Sequence, residues 1–469
     1  MKHLKYLALF FVGAFITSCE DDFLEPDLTS AVNGGAYYNT AIELETAVVN
    51  MYDGLQGENS TSANDNHATQ VEFYLTEMRS DNTRTKAQEG EAAQFESYAV
   101  EATNGIVADY YRSFYNVIFR ANIVLANLDA ASGATATQFE AEASFVRAYA
   151  YFQLVRLYGS VPLVTSVIGP NDTDIAYTRA DVNDIYTLIE SDLTTAISGL
   201  DNSYRTRASQ AGAQALLAKV HLTRGNYNAA ESLLQAVINS GDYALEGNFH
   251  DVFYNENNSE TIFSIGYETG GIDSQNFSAE WLNAVGRTSG VNYVTADVRT
   301  AFDTYGGNRA SVSFRQDASQ PQEYQVGKYF PNGEEGPDYA NDPTKAGNDW
   351  IVIRYADVLL MFIEAKIGTG NETIDPTALS YYDAVRVRAG LPDGATIVTK
   401  EQLLNERRVE LAFENHRLFD LIRFGAALDV LSTFSSNNGY GFTSTDLLLP
   451  IPQVEIGLSK GALTQNPGY

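Results

Sequence analysis

Apolar residues recur at helical spacing along most of this chain, and at one place the spacing is that of a repeat that cannot fold alone. Between residues 211 and 242, Leu217 and Ala218 fall in one helix, Gly225-Asn226-Tyr227 makes a turn, and Ala230, Leu234 and Val237 fall in a second. Span and spacing match a tetratricopeptide repeat of about 34 residues, with Asp242 where that repeat usually ends on proline. The small Ala218 and Ala230 let the two helices approach closely. One such pair would leave its apolar stripe in water, so neighbours must stack on it. Segments 109–158 and 355–389 are the candidates.

Helical periodicity extends over 109–130, 139–158, 181–200, 210–224, 229–239, 355–367, 377–389, 400–415 and 417–431. Three helix starts carry Thr followed three residues later by Glu or Gln, at Thr40/Glu43, Thr137/Glu140 and Thr399/Gln402, the pattern in which each side chain caps the other's backbone N–H. Two stretches, 60–103 and 247–348, are rich in Gly, Asn, Asp and Ser instead, and Thr261 to Tyr267 alternates like a strand. The expected fold is mostly α, a scaffold of tetratricopeptide-like helix pairs carrying irregular, loop-rich insertions with small β elements. Loops of that length are usually functional or disordered.

The N-terminus constrains location. Lys2 and Lys5 precede a ten-residue apolar run from Leu7 to Ile16, too short to cross a hydrocarbon core of about 30 Å and therefore read as a cleaved export signal over residues 1–18. Cys19, the single cysteine, follows small residues at the cleavage point. That position is similar to the bacterial lipoprotein box, whose sulfur is acylated, and acylation accounts for an exported thiol without a partner. Residues 19–39 then read as a lipidated tether. No later stretch approaches 18 uninterrupted apolar residues. The net charge of −30 becomes −32 once Lys2 and Lys5 leave without any acid, and such a balance repels phosphate backbones, which argues against nucleic acid.

Catalytic patterns are sparse. Glu406, Glu410 and Glu414 lie at i, i+4 and i+8, but Arg407, Arg408, Arg417 and Arg423 are interleaved with them; ion pairs that keep these acids charged are expected in place of a glycosidase pair. The five histidines are scattered without ligand spacing. Asn171-Asp172-Thr173-Asp174 begins like a calcium loop, yet Ala176 stands where the next ligand belongs. No cofactor is expected; calcium is possible but unsupported. Nucleotide-binding glycine motifs are absent.

Five segments in order resemble the SusD/RagB family of surface nutrient-binding lipoproteins: Cys19-Glu20-Asp21-Asp22-Phe23-Leu24; residues 147–159 beginning Arg147-Ala148-Tyr149-Ala150-Tyr151-Phe152, with Val161-Pro162-Leu163; Ile353-Arg354-Tyr355-Ala356-Asp357; Glu406-Arg407-Arg408-Val409-Glu410-Leu411-Ala412-Phe413-Glu414 running on to Arg417, Asp420 and Arg423; and Leu448-Leu449-Pro450-Ile451-Pro452 to the terminal Asn466-Pro467-Gly468-Tyr469. The resemblance implies an N-terminal helical region over 40–246, a C-terminal region over 247–469 with its insertion at 247–348, and a role without catalysis. Such proteins capture an oligosaccharide or other nutrient outside the outer membrane and deliver it to a SusC-like TonB-dependent porin. Sugars offer C–H faces to aromatic rings and hydroxyls to polar side chains. The candidate ligand-binding residues are therefore Trp281, Asn283, Arg287, Asn292 and Tyr293 in one irregular stretch, and Arg79, Asp81, Asn82 and Tyr98, with Arg84 and Phe95 nearby, in the other. Trp350, Arg147, Arg156 and Arg354 are read as parts of the scaffold.

Overall fold

The computed structural model describes residues 37–57, 67–86, 90–169, 171–269, 274–275, 277–278, 292–317, 320–329 and 346–469. Cys19, Trp281, Asn283 and Arg287 lie outside them. The long helices are α1 (Ala41–Gln56), α2 (Gly105–Ala126), α3 (Gly133–Tyr158), α4 (Val182–Gly199), α5 (Gln210–Thr223), α6 (Tyr227–Ser240), α7 (Tyr355–Ile367) and α8 (Pro376–Arg388). Each packs on the next in chain order. This is the stack the repeat demanded, and the α5–α6 pair turns at Gly225, whose φ of +74° only glycine adopts freely.

Within the stack α3 and α7 are apolar nearly all round, so both lie at the centre. Every residue of α3 from Ala141 to Val155 is buried, against α1 and α2 on one side and α4 and α5 on the other. The expected caps at Thr40 and Thr399 are present: Glu43 N donates to Thr40 Oγ1 while Thr40 N donates to Glu43 Oε2, and Thr399 and Gln402 repeat the exchange. At Thr137 the expectation fails. Ser132, in an extended conformation, already occupies the cap position, so α3 starts at Gly133 and Thr137 bonds back to the Gly133 carbonyl from inside the helix.

After α8 come α9 (Lys400–Glu410), α10 (Arg417–Arg423) and α11 (Ala427–Asn438). The sequence pattern over 400–415 overran, because Phe413 and Asn415 take left-handed φ values of +66° and +62°. The pattern over 417–431 breaks at Gly425, φ +73°. Short strands pair antiparallel: β1 (Thr83–Thr85) with β3 (Asn292–Val294), β2 (Thr261–Ile265) with β6 (Trp350–Arg354), and β4 (Phe314–Gln316) with β5 (Tyr324–Val326). All of β2 is buried, not one face of it, since it pairs with β6 and packs on α1 and α5. Near the end of the chain, Asn466 Nδ2 donates to the carbonyls of Tyr158 and Leu449 while its Oδ1 accepts from Arg179.

Charge lies at the junction between scaffold and insertion. Arg354, 1 % exposed, reaches Glu260 and Glu410 at 2.6 Å and Glu414 at 2.7 Å. Arg309 bonds Glu406 and Glu410 at 2.7 Å each, Arg388 joins Glu260 and Glu410, and Lys328 joins Glu414. Burial alone would raise the Glu410 carboxyl, but Arg388, Arg354 and Arg309 hold it well below the usual range. The acids of the 406–414 segment thus serve the scaffold, as do Arg354, Arg147 on Asp192, and the buried Trp350. Arg354→Met should leave Glu260, Glu410 and Glu414 with one buried cation fewer and the cluster with an uncompensated negative charge, and cost about 3–5 kcal/mol, read as a lowered urea midpoint with an unchanged m-value.

Candidate ligand-binding face

The antiparallel pairing of β1 with β3 brings the two irregular stretches of the sequence together. Its register sets Thr85 opposite Asn292, Arg84 opposite Tyr293 and Thr83 opposite Val294. Side chains alternate between the faces of a strand. Arg84 and Tyr293 therefore share one face, on which Arg84 is partly exposed and Tyr293 buried, while Thr83, Thr85, Asn292 and Val294 share the other, wholly buried one.

On the first face the Arg84 guanidinium stands 5.2 Å from the centre of the Tyr293 ring and bonds Glu323 at 2.7 Å. Arg84 and Glu323 side chains are each about one-quarter exposed, at 24 % and 25 %. The Tyr293 hydroxyl donates to Asp317 at 3.0 Å, and burial together with that carboxylate pushes the phenol up to about 12. Beside it the Arg299 guanidinium lies 4.3 Å from the Tyr324 ring. Ionic donors, acceptors and ring edges converge here, a set suited to hydroxylated ligands.

Four other expected contact residues stand behind this face, with their polar groups engaged by the protein. Arg79, 1 % exposed, donates to the carbonyls of Leu75 and Asp446. Asp81 accepts from Arg417 and Arg408 at 2.8 Å, and these cations overcome burial to hold its carboxyl well below the usual range. Asn82 donates to Glu77, accepts from Arg408, and receives Thr295 N on its carbonyl. Tyr98 donates to the Arg79 carbonyl and packs its ring 4.8 Å from Phe442. These residues position β1, and the reason is burial: a charge desolvated this far needs a fixed partner. Asn292 is also buried, yet neither its amide nitrogen nor its oxygen has a hydrogen-bond partner. Glu323, Asp317 and Tyr324 were missed from sequence; the alternation Thr83-Arg84-Thr85 would have singled out Arg84, but nothing local marks the other three.

Among the described residues, no group of three His, Cys, Asp or Glu could hold a metal ion. Residues 173–176 form one helical turn, and Asp172 accepts from Gly169 N. No helix among them is long and apolar enough to cross a membrane.

Comparison with known proteins was made against this geometry. A profile described as the SusD family matches residues 242–469, and one described as "Starch-binding associating with outer membrane" matches residues 22–222. The chain belongs to the SusD family. SusD-like protein P2 of Formosa agariphila is 26 % identical over 99 % of this chain and 100 % of its own length, and a SusD-like protein of Bacteroides ovatus is 24 % identical over 95 % and 87 %. The solved structure of a laminarin-binding SusD-like protein aligns with TM-score 0.77 and 27 % identity, covering 92 % of this chain and 100 % of the other. A SusD superfamily structure from Bacteroides vulgatus aligns with TM-score 0.79 at 23 % identity over 92 % and 100 %, which shows the shared fold. The helical stack is thus the family scaffold, and association with the outer membrane accords with the family's description.

One support of the face is electrostatically costly. Burial pushes the Glu77 carboxyl up to about 7, offset in part by the Asn82 amide. A carboxyl raised from 4.5 to about 7 costs nothing below the lower value and its full penalty above the higher, about 3 kcal/mol. Glu77→Gln should therefore raise the thermal midpoint at pH 8 and leave it nearly unchanged at pH 4.5.

Proposed function

We propose that this protein is a surface lipoprotein, tethered to the outer membrane through Cys19, that binds a polymeric glycan without cleaving it and passes it to a SusC-like TonB-dependent porin. The observation that carries this reading is the β1–β3 pairing, which sets the partly exposed Arg84 and Glu323 over the buried Tyr293 ring. A guanidinium and a carboxylate at a rim pair with sugar hydroxyls, and the sequence running into β3 adds Trp281, Asn283 and Arg287 as further contacts. Supporting it is a family in which one solved relative is named for laminarin binding and another structure carries a xylogluco-oligosaccharide in its name.

Binding without hydrolysis follows from the same chemistry. The acids most suggestive of catalysis, Glu406, Glu410 and Glu414, are shared among guanidinium and ammonium groups inside the protein, where no polymer reaches them. Calorimetry of the unlipidated chain from residue 20 onward against laminarin, xyloglucan, starch and mannan is the test. At least one should bind, Arg84→Ala should weaken it about tenfold or more, and no new reducing ends should form. Unchanged affinity in Arg84→Ala would remove the face from the proposal, and reducing ends would turn the protein into a hydrolase. Co-purification of a TonB-dependent porin with the tagged, lipidated protein tests the partner.

A further inference from the structure

A second concavity lies elsewhere in the molecule and shares no residue with the face around Arg84. It has a volume of about 830 Å³, within the range of ligand pockets. One wall is the outer side of α1, with Thr46, Asn50 and Asp53; the opposite wall is the 206–207 loop and the turn at Glu256-Asn257. Leu55, Ile265 and Tyr267 form an apolar floor, with Asp349 among them. On the loop that makes the second wall, Tyr204 is 44 % exposed, its ring 5.4 Å from the Arg207 guanidinium.

The charges bordering this groove select what can enter. Arg207 is already saturated by Glu45 at 2.7 Å and Glu142 at 2.8 Å. Arg120, behind the α1 wall, is taken by Asp53 at 2.6 Å. Among the described residues that line the groove Arg207 is the only cation, so none of them is left to receive a sulfate or a uronate, while Glu268 and Asp349 present negative potential. Asp349 accepts from Ser264 Oγ and Tyr267 N at 3.0 Å each, and its carboxylate has no ion pair among the described residues. Carboxylate oxygens keep further lone pairs after one bond each, and paired sugar hydroxyls supply donors for them.

From this we infer that the groove between α1 and the β2 end is a second binding site for an uncharged oligosaccharide, closed to anionic glycans. It rests on the proposed glycan role only in the choice of a sugar as ligand. The two sites sit on different elements, so one polymer chain engaging both would be held by avidity in place of a single tight contact.

The experiment is calorimetry with uncharged gluco-, xylo-, manno- and galacto-configured hexasaccharides and with hexagalacturonate, on the wild type, Arg84→Ala and Asn50→Trp. Asn50 is exposed on α1, so the indole fills the groove without touching the core. At least one uncharged hexasaccharide should retain a site in Arg84→Ala and lose that site, by tenfold or more in affinity, in Asn50→Trp; hexagalacturonate should show no binding that Asn50→Trp removes. If Asn50→Trp leaves stoichiometry and affinity unchanged, or if hexagalacturonate occupies the groove, the inference is overturned while the capture face stands. If Asn50→Trp abolishes all binding and Arg84→Ala none, the groove stands and the face around Arg84 falls. If no uncharged hexasaccharide binds the wild type, both fall.

Discussion

Arg354 carries a positive charge to a place where water cannot follow, and it is met there by Glu260, Glu410 and Glu414. Burying ions costs several kcal/mol each, and the cost is repaid only where geometry and partners are complete. Here each acid has more than one cation: Glu410 is held by Arg354, Arg309 and Arg388, and Glu414 by Arg354 and Lys328. The cluster ties the end of β6 to α8, to α9 and its following turn, and to the insertion residues Arg309 and Lys328. Apolar contact is non-directional and would tolerate a slip between these parts. Matched charges tolerate none, so the cluster fixes how the irregular insertion sits on the regular stack.

That division explains what could be read from the sequence. Helices declare themselves by local periodicity, so α4 to α8 were placed within about two residues of their observed ends, and α7 at its observed limits. Where the backbone turns left-handed the reading failed: Phe413 and Asn415 take positive φ, and Glu414 between them is held by Arg354 and Lys328. Ion pairs on Glu406, Glu410 and Glu414 were expected, but not with these partners: the acids meet Arg309, Arg354, Arg386, Arg388 and Lys328 from distant segments, while the interleaved Arg407, Arg408, Arg417 and Arg423 turn to Asp357, Asp81 and Glu364.

The candidate face was half legible. Sequence named both stretches that meet in the β1–β3 pair, but Arg79, Asp81 and Asn82 look the same on paper as Arg84, and only the fold separates them: the first three lie in the turns before β1, buried against partners such as Arg408 and Arg417, and Arg84 lies in the strand, partly exposed. Partners such as Asp317 and Glu323 come from a different hairpin, and no spacing rule connects residue 84 with residue 323. The groove beside α1 was invisible for the same reason, being walled by segments 150 to 300 positions apart.

The bonds of Asn466 bear on when such a chain becomes rigid. Its amide closes on Tyr158 and Leu449, and its oxygen on Arg179, so the middle of the stack is finished by a residue some 300 positions further along. The charge cluster likewise waits for residues beyond 400. A polypeptide whose closing contacts span some 300 positions gains little from folding early, since loop closure must be paid before the reward arrives. Contacts of such span close late, so the stack gains its final rigidity only when the segment around residue 466 docks on it.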